Sequence, residues 1–193
     1  MIHYYTNREI SEKLSINPAR WKRWSRVFLP PDPLGGMQSG YARQYLYGDL
    51  FIVFLGGHLL THHKQTVPEA RQVISDLTSW MKKTGFLDLK KKAQQESGVC
   101  IRVFFYLEAA TKTGFAFRYL IQKSTLPVID PERSATGKVD SIVHPAAILS
   151  ETVLGKEPEN PVQFYQNPDT SLLNLSALAD ALITRLAAGK GAV

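Results

Sequence analysis

Apolar positions over roughly the first eighty residues recur at steps of three and four. Ile10 and Leu14 stand four apart behind Thr6-Asn7-Arg8-Glu9. Those four residues form a capping box, in which the Thr6 hydroxyl accepts the Glu9 amide proton and the Glu9 carboxylate accepts that of Thr6. Ser15-Ile16-Asn17-Pro18 breaks the period. Asn17 is a good N-cap and Pro18 suits a first turn, so a second helix is predicted from 18 to about 27. Trp21, Trp24 and Phe28 fall at core spacing along it, while Arg20, Lys22, Arg23 and Arg26 take other positions. Two short helices locked by one apolar seam, the second presenting cations outward, is the pattern of a helix-turn-helix.

Leu29-Pro30-Pro31-Asp32-Pro33 stops the second helix and leads into a glycine-rich loop, with Gly35, Gly36 and Gly40 ahead of Tyr41-Ala42-Arg43-Gln44-Tyr45. A third helix is predicted from 47 to about 65. Leu50, Val53, Phe54 and Leu60 are spaced helically and Phe51, Ile52 and Leu55 widen the apolar face, so this helix is expected to be deeply buried. Gly56-Gly57 inside it costs about 1 kcal/mol per glycine against alanine. Close packing against another helix explains the pair best; a kink is the alternative. Thr66-Val67-Pro68-Glu69 is a second capping box, opening a fourth helix to about 83 with Thr84-Gly85 as its stop. The polar stretch 88–96 reads as a connector.

Beyond Ser97-Gly98 the pattern changes. Residues 99–107 are β-branched and aromatic, Thr111-Lys112-Thr113-Gly114 offers a turn, and Phe115, Phe117, Tyr119 and Ile121 then alternate with Ala116, Arg118, Leu120 and Gln122. That is a β-hairpin signal. Residues 126–129 and 139–143 suit further short strands, 144–149 a helical turn or short helix, and 157–169 an extended loop. Leu172, Leu175, Leu178, Leu182, Ile183 and Leu186 mark an amphipathic helix over 171–188. The expected fold is therefore α+β: an N-terminal all-α winged helix-turn-helix domain over 1–84, a connector over 85–97, and a small α+β domain over 98–193 with a β-hairpin and a C-terminal helix.

The order of these pieces resembles one family. "YTNREISEKLSINPA", "KRW", "LPPDPLGG", "SGYARQY" and "DLFIVFL" follow one another as in the winged-helix DNA-binding domain of MerR transcription regulators. The likeness covers roughly the first 80 residues. It implies that the second helix enters the major groove, where Arg20, Lys22, Arg23 and Arg26 are the candidate contacts. Lys22 stands where the family usually carries a DNA-contacting basic residue; Arg23 stands where it often has an aromatic one. Tyr41, Arg43 and Tyr45 match the family's wing, whose aromatic and basic groups grip backbone phosphates, with Gln38 and Ser39 near the loop tip. Phosphate contacts set position and salt dependence, and only groups at base edges carry sequence choice. RNA polymerase is a further partner the resemblance implies. Metal sensing does not carry over, because the family's cysteines and its long dimerisation helix have no counterpart here. A homodimer is still the expectation, since one helix and one wing read only a short half-site.

Charge agrees with a polyanionic partner: the 193-residue chain has a net charge of +6, although basicity alone does not identify one. The single cysteine, Cys100, excludes an intramolecular disulfide framework and lies in an apolar run, which favours a buried, inert thiol over a sensor. No signal peptide opens the chain and no run nears the ~18–20 apolar residues of a membrane span, so a cytoplasmic protein without a membrane partner is expected. His58, His62 and His63 cluster, and the first two are an i, i+4 pair that a metal can use. No Glu or Cys lies at ligand spacing, and an ordinary exposed or interface patch is the favoured reading. Asp130, Glu132 and Asp140 occupy a polar loop, and no hydrolase, Walker or dinucleotide fingerprint occurs. The expected function is a sequence-specific DNA-binding transcription regulator, not an enzyme, with no cofactor. An excisionase-like or architectural DNA binder is the alternative.

Overall fold

Three helices of the N-terminal half, those starting at Asn7, Pro18 and Val67, begin on a side-chain cap. The computed structural model describes residues 4–32, 43–88, 99–111, 114–125, 147–154 and 162–188. Helix α1 is Asn7–Leu14. Thr6 Oγ1 accepts the Glu9 N–H at 3.4 Å and Glu9 Oε2 accepts the Thr6 N–H at 2.7 Å, which satisfies two otherwise orphaned donors. Ser15 ends the helix in the left-handed region. Helix α2, Pro18–Phe28, starts on Asn17, whose Oδ1 accepts the amide protons of Ala19 and Arg20 at 2.9 and 3.2 Å.

Helix α3, Tyr47–Thr61, is the centre of this half. Leu50, Phe51, Ile52, Val53, Leu55, Gly56, Gly57 and Leu59 are all buried. It runs unbroken through both glycines, so close packing is the reason for them. A methyl carbon on Gly57 would meet the Trp24 ring, with Cε3 at 2.6 Å, and one on Gly56 would meet Phe28 Cγ at 2.7 Å. Two side chains of α2 thus lie directly on the α3 backbone. The helix stops at Thr61, short of the expected 65, because Lys64 turns the chain at φ 56°; His62 and His63 therefore lie past its end. Helix α4 is Val67–Lys83, capped by Thr66 and Glu69, with Glu69 Oε2 accepting the Thr66 N–H at 2.7 Å. Gly85 at φ 70° and the Phe86 N–H on the Met81 carbonyl at 2.9 Å close it.

The second half holds a four-stranded antiparallel sheet of order β3-β2-β1-β4. Its strands are β1 Val99–Thr111, β2 Gly114–Thr125, β3 Ile148–Leu154 and β4 Ser171–Asn174, with a short helix α5, Gln163–Gln166, and a closing helix α6, Leu175–Ala188. The β1–β2 hairpin matches the alternation in the sequence. Three other expectations change. Ile148 and Leu149 lie in β3 rather than a helical turn, because Ser124 to Tyr119 pair with Ile148 to Leu154. Ser171–Asn174 is a strand, with Val103 opposite Leu173 and Arg102 opposite Asn174, and the helix begins only after it. Asn174 Oδ1 accepts the Ala177 N–H at 3.0 Å and acts as the helix cap. The stretch expected as loop includes α5. The expected strands at 126–129 and 139–143, and most of the connector, lie outside the described residues.

The chain divides into two compact units. The first unit comprises Met1–Gln95, Ala110–Phe115 and Leu178–Val193; the second comprises Glu96–Ala109 and Ala116–Ala177. The end of the hairpin and most of α6 thus group with the N-terminal helices. No helix among the described residues is long and apolar enough to cross a membrane.

Candidate nucleic-acid interface

The amphipathic split of α2 is complete. Trp21, Trp24, Ser25 and Phe28 are buried, and Arg20, Lys22, Arg23 and Arg26 are exposed. At 100° per residue the buried set covers one side, Lys22, Arg23 and Arg26 lie opposite, and Arg20 flanks them. The helix carries no carboxylate. Among the described residues none of the four cationic side chains has a hydrogen bond or ion pair. Like charges at i, i+4, as in Lys22 and Arg26, disfavour an isolated helix by about 0.2–0.5 kcal/mol per pair. A polyanion removes that repulsion and supplies the missing partners.

The wing residues divide. Gln38 and Tyr41 lie outside the described residues. Arg43 donates from Nη1 to the Pro30 carbonyl at 3.0 Å, and its guanidinium stands 5.7 Å from the centre of the Tyr45 ring. Tyr45 is not at the surface where the resemblance placed it. Its exposure is 1%, and its hydroxyl donates to Asn7 Oδ1 at 2.8 Å. Its ring meets Trp21 edge-on at 5.9 Å. Its main chain exchanges two hydrogen bonds with Tyr5, at 3.0 and 3.1 Å. The reason is geometric: the segment returning from the glycine-rich loop pairs with the segment that precedes α1, and Tyr45 faces inward from that pairing. Tyr5, at the position before the N-cap, is buried too, and its hydroxyl lies 2.8 Å from that of Tyr47. Burial first, then Tyr47, pushes the Tyr5 phenol well above the ordinary range. The motifs that contain Tyr5 and Asn7 assign them no part in holding Tyr45, although a large apolar residue just before a capping box is a known partner for the first turn.

The histidines form a ring cluster at the end of α3. His58 stacks on His62 at 4.4 Å and meets His63 edge-on at 5.4 Å. Burial, then the neighbouring imidazoles, lowers His58 to about 4, and the same causes lower His63. Among the described residues no three His, Cys, Asp or Glu side chains are placed to hold a metal ion. Cys100 is buried, with Sγ 3.5 Å from Asn174 Oδ1. The sheet adds a polar trio that no motif signals: Gln122 Nε2 donates to Glu151 Oε1 at 3.0 Å and to Tyr165 Oη at 2.9 Å, and the Tyr165 hydroxyl donates to Glu151 at 2.7 Å. Burial and the Glu151 carboxylate push that phenol up to about 12. Arg118 pairs with Glu108 across the hairpin.

Comparison of the sequence with protein-family models and with curated proteins finds no match.

Proposed function

We propose that the chain is a sequence-specific DNA-binding transcription regulator of the MerR type, reading the major groove with α2. The observation that carries this is the set of four exposed cations, unpaired among the described residues, on a helix whose other face is sealed by Trp21, Trp24 and Phe28. Arginine grips the guanine edge through two hydrogen bonds, and each good bidentate pair discriminates against the wrong base by about 1–3 kcal/mol. Arg43 and Tyr45 contribute indirectly, by fixing the chain that returns to α1. The sheet-bearing half is proposed as the part that senses a ligand, dimerises or recruits a partner such as RNA polymerase.

The test is selection of duplexes from a random pool with the purified chain, followed by footprinting. One palindromic site is the expected result, and tandem half-sites indicate the excisionase-like or architectural alternative. Replacing Arg20 and Arg23 by alanine should reduce specific binding by at least about 1–3 kcal/mol. Unchanged binding in that variant removes α2 as the reading surface.

A further inference from the structure

Lys13, in the last turn of α1, donates from Nζ to the main-chain carbonyl of Leu186 at 3.0 Å. That oxygen is one of the last four of α6, which have no partner inside their own helix. One residue earlier, the Arg185 guanidinium stands 5.9 Å from the centre of the Phe54 ring, on α3. Ala179, Leu182 and Leu186, spaced by three and four, are completely or almost completely buried, so α6 carries a continuous apolar seam. From Leu178 onward it belongs to the same compact unit as α1 to α4. Helices α1 and α3 are both packed against α2, and they are the two that these contacts join to α6, α1 through Lys13 and α3 through Phe54.

We propose that α6 is a fifth helix of the DNA-binding unit, and that Lys13 and Arg185 are positioning residues for DNA binding. By joining α6 to α1 and to α3 they set the pose of α2 without touching the duplex. The proposal rests on the DNA-binding reading above.

The experiment compares the full chain with Lys13→Met, Lys13→Arg and Arg185→Gln, on a duplex selected by the wild type, at several salt concentrations. Lys13→Met should lower affinity by ~3–10-fold, the factor of one modest hydrogen bond, and Lys13→Arg should restore it; Arg185→Gln, which removes a cation–π contact, should lower it by ~2–5-fold. The dependence of log affinity on log salt should keep its slope, because a lost phosphate contact would reduce it by about 0.9. Without DNA, amide exchange in 178–188 should accelerate in Lys13→Met. A reduced slope in Lys13→Met assigns that lysine to a phosphate and overturns the proposal, as does unchanged affinity with α6 loosened. If the wild type selects no duplex at all, the DNA-binding reading fails first; the exchange measurement still shows whether Lys13 holds the helix.

Discussion

Gly57→Ala tests how α2 is held. In an open helix this substitution stabilises by about 1 kcal/mol, because alanine loses less backbone entropy. Here the added carbon would lie 2.6 Å from Trp24 Cε3 and 2.7 Å from Cη2, where ordinary contact begins at 3.4 Å. The indole must retreat by most of an ångström. It is buried, and overpacking of this kind costs about 1–3 kcal/mol. The two effects oppose, and a net loss of up to about 2 kcal/mol is expected because a fused ring cannot swing away as a flexible chain end does. For a unit of this size that lowers the melting temperature by about 4–8 °C per kcal/mol. All three tryptophans, Trp21, Trp24 and Trp80, lie in the helical unit, so tryptophan fluorescence during denaturant unfolding reads that unit. In a Trp24→Phe background the cost of Gly57→Ala should shrink, with a coupling of about 0.5–3 kcal/mol. An alanine variant that is more stable than the wild type, by the helix-propensity amount, would refute the packing argument.

Three further outcomes are expected. Gly56→Ala should behave like Gly57→Ala, through Phe28, and a stability gain there would count against the same notch. Tyr45→Phe should cost about 0.5–1.5 kcal/mol by removing the bond to Asn7, and equal unfolding midpoints would show that this hydroxyl holds nothing. Acid should weaken the helical unit: His58 is lowered to about 4 from 6.5, so the unfolded chain takes the proton first, stability falls between pH 6.5 and 4, and the loss is complete below 4. Because the rings are partly open to water the loss is on the order of 1 kcal/mol, and His58→Gln should flatten unfolding free energy across that window.

The sequence by itself determined what depends on near neighbours. Two capping boxes, the Asn17-Pro18 start and the three- and four-residue spacing place four helices and separate the cations of α2 from its tryptophans, because those interactions span one turn of chain. The alternation from 115 to 122 likewise marks a strand wherever it pairs. Tertiary structure decided what depends on distant partners. Tyr45 reads as a wing residue until Tyr5, forty positions away, pairs with it and turns the ring toward Trp21. Leu172 fits a helix by spacing, but β1 offers an open edge, and strand hydrogen bonds claim Ser171–Asn174 before Asn174 can start α6. The grouping of α6 with the N-terminal helices has no local signature at all: an apolar seam specifies that a helix will be buried, not against which neighbours.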